Sequence, residues 1–206
     1  MDYSKLATEE AINTTKTNLE KNGFTVLITE NGQKAKLQAL ELLPLGAAVM
    51  TMTSVTTDSI GLTKEINESG KYSPVRSKLY GTEEAETYTS VQKKEFGAAP
   101  EYVTGSVHAV TQSGSVIIAS GTGSQLPAYA YGSEHVIWIV GTQKIVEDAE
   151  SGFKRIYDYV LPLESVRANA AYGITTGSSV NKVLIINKEN TLNRITIILV
   201  KELLGY

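Results

Sequence analysis

His135-Val-Ile-Trp-Ile-Val-Gly-Thr-Gln-Lys-Ile-Val146 is the stretch that decides the fold. His135–Val140 is a compact apolar run closed by a glycine, the length of a buried strand and too short for a helix. A helical pattern follows at once: Val146, Ala149, Phe153, Ile156 and Val160 step by three and four, and Pro162 is placed to close it. Working outward, Phe24–Thr29, Ala47–Met52, Lys182–Asn187 and Arg194–Val200 are further apolar runs of strand length. Helical stretches separate them. Tyr3 to Lys21 reads as a helix ended by Asn22-Gly23, a left-handed cap. Gly32 opens a second, with Leu37, Leu40 and Leu43 on its apolar side and Pro44 beyond. Ser54–Asp58 supplies caps for a helix over Ile60–Glu68, Gly70–Gly81 reads as a loop around Pro74, and Thr82 caps a helix from Glu83 to Phe96. Tyr102–Val110 alternates and turns at Gln112-Ser113-Gly114 into Val116–Ala119, the pattern of an antiparallel hairpin. Strands separated by helices predict one α/β domain over residues 1–206: a three-layer, open, largely parallel sheet with helices on both faces.

Composition narrows the chemistry. The 206 residues contain no cysteine, so disulfides, thiolate metal sites and thiol nucleophiles are excluded. A net charge of −3 without a basic cluster argues against nucleic acid as a partner. No apolar run approaches membrane-spanning length. The N-terminus carries Asp2, Glu9 and Glu10 rather than a signal peptide, and the expected compartment is the cytoplasm.

Ser106-Val-His-Ala-Val-Thr-Gln-Ser-Gly114, Gly121-Thr-Gly-Ser-Gln-Leu126 and His135 to Val146 together resemble the LUD family, named for lactate utilization and formerly a domain of unknown function, DUF162. Pro162-Leu-Glu-Ser-Val-Arg167 and Glu202-Leu-Leu-Gly-Tyr206 extend the likeness, and Ser54-Val-Thr56 before Ile60-Gly61-Leu62 matches more loosely. The resemblance implies a NagB/RpiA/CoA-transferase-like fold. Some members belong to lactate-oxidising systems with iron–sulfur partners. Several relatives carry a cysteine cluster after the segment matching Arg167–Gly173, where this chain has Ile174-Thr-Thr-Gly-Ser-Ser. No metal or cluster role carries over, and no cofactor is expected.

Open parallel sheets bind ligands beyond the carboxyl ends of their strands. That rule selects Gly121, Thr122, Gly123, Ser124 and Gln125 after Val116–Ala119, Lys144 after His135–Val140, and Ser54 and Thr56 after Ala47–Met52; Ser106 joins them because the hairpin sets it opposite Ala119. A connection of about a dozen residues between the first two suits a parallel crossover, which would put both loops on one sheet edge. Glycines allow close backbone approach, and the hydroxyls and ammonium add donors for an anion. A second reading stands beside each: a plain turn for the glycine loop, helix caps for Ser54 and Thr56, a solvated lysine for Lys144. His108 reads as a wall residue and His135 sits at the wrong strand end. Arg167 reads equally as an anion ligand or one half of a helix-surface ion pair. No Ser–His–acid set can be assigned, so catalytic residues stay open. Two functions follow: binding or transforming a small anionic metabolite (a carboxylate, sugar phosphate or CoA-type molecule), or serving as a non-catalytic component of a redox assembly with an iron–sulfur protein.

Overall fold

The computed structural model describes residues 2–173 and 175–206. The strands in chain order are β1 (Thr25–Thr29), β2 (Ala48–Thr51), β3 (Ser73–Pro74), β4 (Tyr102–Gly105), β5 (Ala109–Thr111), β6 (Val116–Ser120), β7 (His135–Gly141), β8 (Ile145–Val146), β9 (Lys182–Ile186) and β10 (Ile195–Val200). They form two sheets. The first has six strands in the order β1-β10-β7-β4-β2-β3, all parallel. The second has four, β8-β5-β6-β9, with antiparallel β5–β6 and β6–β9 pairs.

Layering follows from which side chains each sheet buries. One face of the parallel sheet (Val49, Ile137, Ile139, Ile198, Val200) packs with Ala35, Ala39 and Leu43 from α2 (Gly32–Glu41) and its end, and with Leu62 and Ile66 from α4 (Leu62–Glu68). The other (Val103, Val136, Trp138, Ile197, Leu199) packs on Val110, Val116 and Ile118 of the second sheet and on Ile12 and Leu19 of α1 (Glu9–Lys21). The far side of the second sheet (Ala109, Ile117) meets Ile156, just past α7 (Ala149–Arg155). The expected α/β fold is therefore present, with an open parallel sheet, helices outside and an antiparallel hairpin.

Several local expectations change. α1 begins at Glu9, because Thr8 is extended and its hydroxyl caps Ala11 N–H. Leu37 is exposed; the core side of α2 is Gly32, Ala35 and Ala39, small residues that let the helix lie close to the sheet. The Ser54 cap opens a short helix, α3 (Val55–Ser59), ahead of α4. The 70–81 stretch contains β3 and a 3-10 turn at Val75–Lys78. The polar helix splits into α5 (Glu83–Thr87) and α6 (Ser90–Ala98), because Tyr88 is extended and Thr89 starts a new capping box with Gln92.

Val146 lies in β8, and Pro162 does not end its helix. A wide π turn at Ile156–Val160 joins α7 to α8 (Leu161–Tyr172), with Leu161 N–H bonded to Ile156 O. The widened turn lies just before Pro162, which has no N–H for a regular helical ladder, and the chain continues as a helix through it.

Tyr102–Val110 is not one strand. β4 pairs in parallel with β2 and β7, and only β5 pairs with β6. The chain leaves one sheet at Gly105 and enters the other at Ala109. Alternation misleads here because all four residues of β4 are buried, covered on both faces.

Candidate functional site

Because the six-stranded sheet is parallel, the carboxyl ends of β2, β3, β4, β7 and β10 lie on one side. A cavity of about 1040 Å³ opens there. Met52–Thr56 enters it from β2, Arg76, Leu79 and Tyr80 from beyond β3, Ser106–His108 from β4, Lys144 from β7 and Tyr206 from beyond β10. The second sheet supplies Ala119–Gln125 at the end of β6. All the residues singled out from sequence thus border one space: Ser54, Thr56, Ser106, Gly121, Thr122, Gly123, Ser124, Gln125 and Lys144. The crossover argument fails, since β6 and β7 lie in different sheets. Face-to-face packing of the two sheets brings the loops together instead.

Lys144 is buried, at 2% exposure. Its Nζ donates to Thr56 Oγ1 at 2.9 Å and Ser106 Oγ at 3.0 Å. Both hydroxyls send their own protons to backbone carbonyls, Thr56 to Leu204 O and Ser106 to Ile139 O. An ammonium has three protons, so one is left after these two bonds. Among the described residues no carboxylate pairs with Lys144. Burial, then repulsion from Arg155, hold its pKa well below that of an ordinary lysine.

The Gly121–Gln125 loop is folded on itself. Gly123 N–H donates to Ser120 Oγ, Ser124 N–H to Thr122 Oγ1, and Lys182 Nζ to Thr122 O. Two of its backbone donors are therefore already satisfied. Positive charge at the cavity comes from side chains: Arg76, Lys93, Lys94, Lys144 and Arg167 against one acid, Glu164. Arg76 is tied to Thr51 O and Thr53 Oγ1. Arg167 pairs through two 2.7 Å bonds with Glu164, which also accepts from Tyr206 Oη at 2.6 Å. Burial opposes ionisation of Glu164, but these partners outweigh it and hold its pKa below the usual value.

Arg155 is the buried residue that sequence reasoning missed. It is fully buried on α7, donates to His108 O at 2.6 Å, and its guanidinium lies against Tyr3 and Tyr159 at 6.0 and 5.5 Å. Beside Lys154 in the chain, it carries no local mark of burial. By holding the His108 carbonyl it fixes the passage from β4 to β5, and so the place of Ser106.

His108 accepts Ala119 N–H at Nδ1, which keeps that nitrogen unprotonated. Burial first, then repulsion from Lys144 and Arg155, draw its pKa from 6.5 down to about 3. The unfolded chain takes up this proton more readily, so stability is complete above the unfolded pKa and falls as pH drops from 6.5 towards 3. Between pH 7 and pH 5 the loss is at most about 2 kcal/mol, reduced by solvent in the cavity. His108→Asn, whose amide oxygen can replace Nδ1 as acceptor, is expected to flatten that slope in urea titrations. An unchanged slope would assign acid sensitivity to other groups.

A layered α/β protein with a positively lined cavity at its strand carboxyl ends is the class these features define. The sequence matches the LUD domain over residues 12–200, and the chain belongs to that family. A DUF162 family protein from Deinococcus radiodurans is similar in fold, with a TM-score of 0.57 at 11% identity over 95% of this chain and 99% of that one. eIF2B beta from Chaetomium thermophilum is a weaker likeness, with a TM-score of 0.31 at 16% identity over 68% of this chain and 45% of that one. No match is found among curated proteins. No helix among the described residues is long and apolar enough to cross a membrane.

Proposed function

We propose that this chain acts as one LUD domain that binds a small anionic metabolite in the cavity, with Lys144 as its central contact. The carrying observation is a buried lysine nitrogen that borders the cavity without a carboxylate partner. An uncompensated buried charge is costly, and an anionic ligand supplies the missing countercharge. The excess of basic over acidic side chains around the same space supports this reading, in a chain whose net charge is −3. The ligand classes are a carboxylate, a sugar phosphate or a CoA-type molecule, in keeping with the fold group the sequence resembles and with metabolism linked to lactate utilization in the cytoplasm.

A thermal-shift screen of these classes tests the reading, since a ligand at 100 times its Kd adds about 2.7 kcal/mol of stability. Calorimetric titration of the best hit then locates it. Lys144→Ala is expected to weaken binding by roughly tenfold to a hundredfold, the value of a charge-assisted contact. Gly123→Val is expected to weaken it as well, because Gly123 has φ +85°, a backbone conformation that a branched residue resists, and the loop must reshape. Parent-like affinity in both variants would remove the ligand from this site.

The alternative, a non-catalytic redox component beside an iron–sulfur protein, has support of a different kind: Leu163 and Val166 on α8, and Val183 and Ile185 on β9, are exposed. Stoichiometric co-purification of an iron–sulfur protein, lost on replacing these four residues with Ser, would favour it.

A further inference from the structure

Lys144 differs from the other cavity cations in what surrounds its nitrogen. Arg167 has Glu164, and Lys93 and Lys94 lie on α6, half-buried and exposed, where their ammonium groups stay hydrated. Lys144 lines the cavity with its Nζ bonded to two hydroxyls, with Arg155 and His108 as its basic neighbours and Glu164, near His108, paired to Arg167. Such a site disfavours the ammonium, and an amine without its proton is a nucleophile. We infer that Lys144 forms an imine with an aldehyde or ketone carrying a carboxylate or phosphate group. This rests on the anion-binding reading above.

The step balances without a co-reactant. The Nζ lone pair attacks the carbonyl carbon, one proton passes from nitrogen to the carbonyl oxygen to give a carbinolamine, and the second N–H proton leaves with that hydroxyl as water when the C=N bond forms. Thr56 and Ser106, at 2.9 and 3.0 Å from Nζ, accept the two N–H bonds of the neutral amine and so orient its lone pair away from themselves. Their own protons go to the Leu204 and Ile139 carbonyls, which fixes both hydroxyls as acceptors toward nitrogen. The ligand's anionic group meets the remaining cavity cations, and Arg76 is the one reached through the same segment, bonded to Thr53 three residues before Thr56.

Glyoxylate with sodium cyanoborohydride at neutral pH is the test, read by intact mass and peptide mapping, beside calorimetry with oxalate, an anion that forms no imine. The expected result is one reduced adduct, at Lys144, suppressed by oxalate and absent in Lys144→Arg. The double variant Thr56→Val, Ser106→Ala retains the amine and is expected to slow trapping by roughly tenfold or more; this arm stands even if Lys144→Arg folds poorly. Adducts confined to exposed lysines overturn the imine. If oxalate still binds in a Lys144-dependent way, the anion site survives that failure; if it does not, both readings fall. An adduct at Lys144 without oxalate binding would keep the imine and remove the general anion site.

Discussion

Lys144→Met is expected to raise the melting temperature and to weaken anion binding by roughly tenfold to a hundredfold in the same variant. The two effects have one cause. The folded protein keeps an amine out of water with only hydroxyl partners, whereas the unfolded chain holds it as a hydrated ammonium. Met is nearly as long, carries no charge and matches the apolar part of the wall. Thr56 and Ser106 lose an incoming proton but keep their own donations to Leu204 O and Ile139 O, so no buried donor is orphaned. Replacing buried ion pairs with apolar groups is neutral or gains about 1–4 kcal/mol, and a buried lysine with no ion-pair partner stands to gain in the same direction. The pH dependence carries the sign. With the folded pKa depressed, the unfolded state binds the extra proton, so parent stability climbs with pH from the depressed value up to about 10.5, the unfolded value. That climb should vanish in Lys144→Met. Chemical denaturation at several pH values, with calorimetry on the same sample, measures both effects. A variant less stable than the parent would make Lys144 a structural hub, and the exchange of stability for binding would be gone.

Sequence carried the architecture further than the packing. Apolar runs such as Val136–Val140 and Ile195–Val200 are buried strands because no other element of that length hides so many branched side chains. The LUD relationship was legible in the segments around Gly114, Gly121–Leu126 and His135–Val146. The number of sheets was not. Alternation in Tyr102–Val110 read as one strand, yet the chain changes sheets inside it, and the cause is tertiary: Arg155 holding the His108 carbonyl and Ser106 bonded to Ile139 O. Residues 47 and 33 positions distant leave no mark on local periodicity. Pro162 misled for a related reason, since a π turn can absorb it inside a helix held against the second sheet.

For the site, the rule about strand carboxyl ends gathered the right neighbourhood around Lys144 and the Gly121–Gln125 loop. Chemical emphasis shifted. The glycine loop suggested backbone donors, but Ser120 and Thr122 occupy two of them, a competition invisible before the turn's shape is known. Lys144 was selected as a ligand contact with a solvated lysine as its alternative, because sequence shows a lysine's charge and not its depth. Arg76, far away in the chain, joins the cavity only because β3 lies beside β2. Ile174, the first residue of the segment where relatives carry cysteines, lies outside the described residues.

Gly105→Ala should cost several kcal/mol, and Tyr129→Phe should recover much of that loss. Gly105 is the last residue of β4 and lies opposite Trp138 on β7, where the chain departs for the second sheet. A Cβ built there falls onto the Tyr129 hydroxyl and sits 3.3 Å from Met52 Cβ. Both side chains are buried, so either must shift against packed neighbours or into the cavity they border. Tyr129 is buried, packs edge-on to Trp138 at 5.2 Å, and its phenol pKa is raised by burial. Overpacking a dense core typically costs about 1–3 kcal/mol, and a clash with a wedged aromatic falls at or above the top of that range. Removing the hydroxyl opens space for the new methyl, so the two changes are not additive. A double-mutant cycle by urea denaturation should give a favourable coupling of about 1 kcal/mol or more. The functional consequence follows from position, since Ser106 comes next in the chain. Gly105→Ala displaces Ser106 from Lys144, so anion binding should weaken in the single variant and return in the double. A coupling near zero, with affinity unchanged throughout, would mean that the β4 crossover does not set the geometry around Lys144.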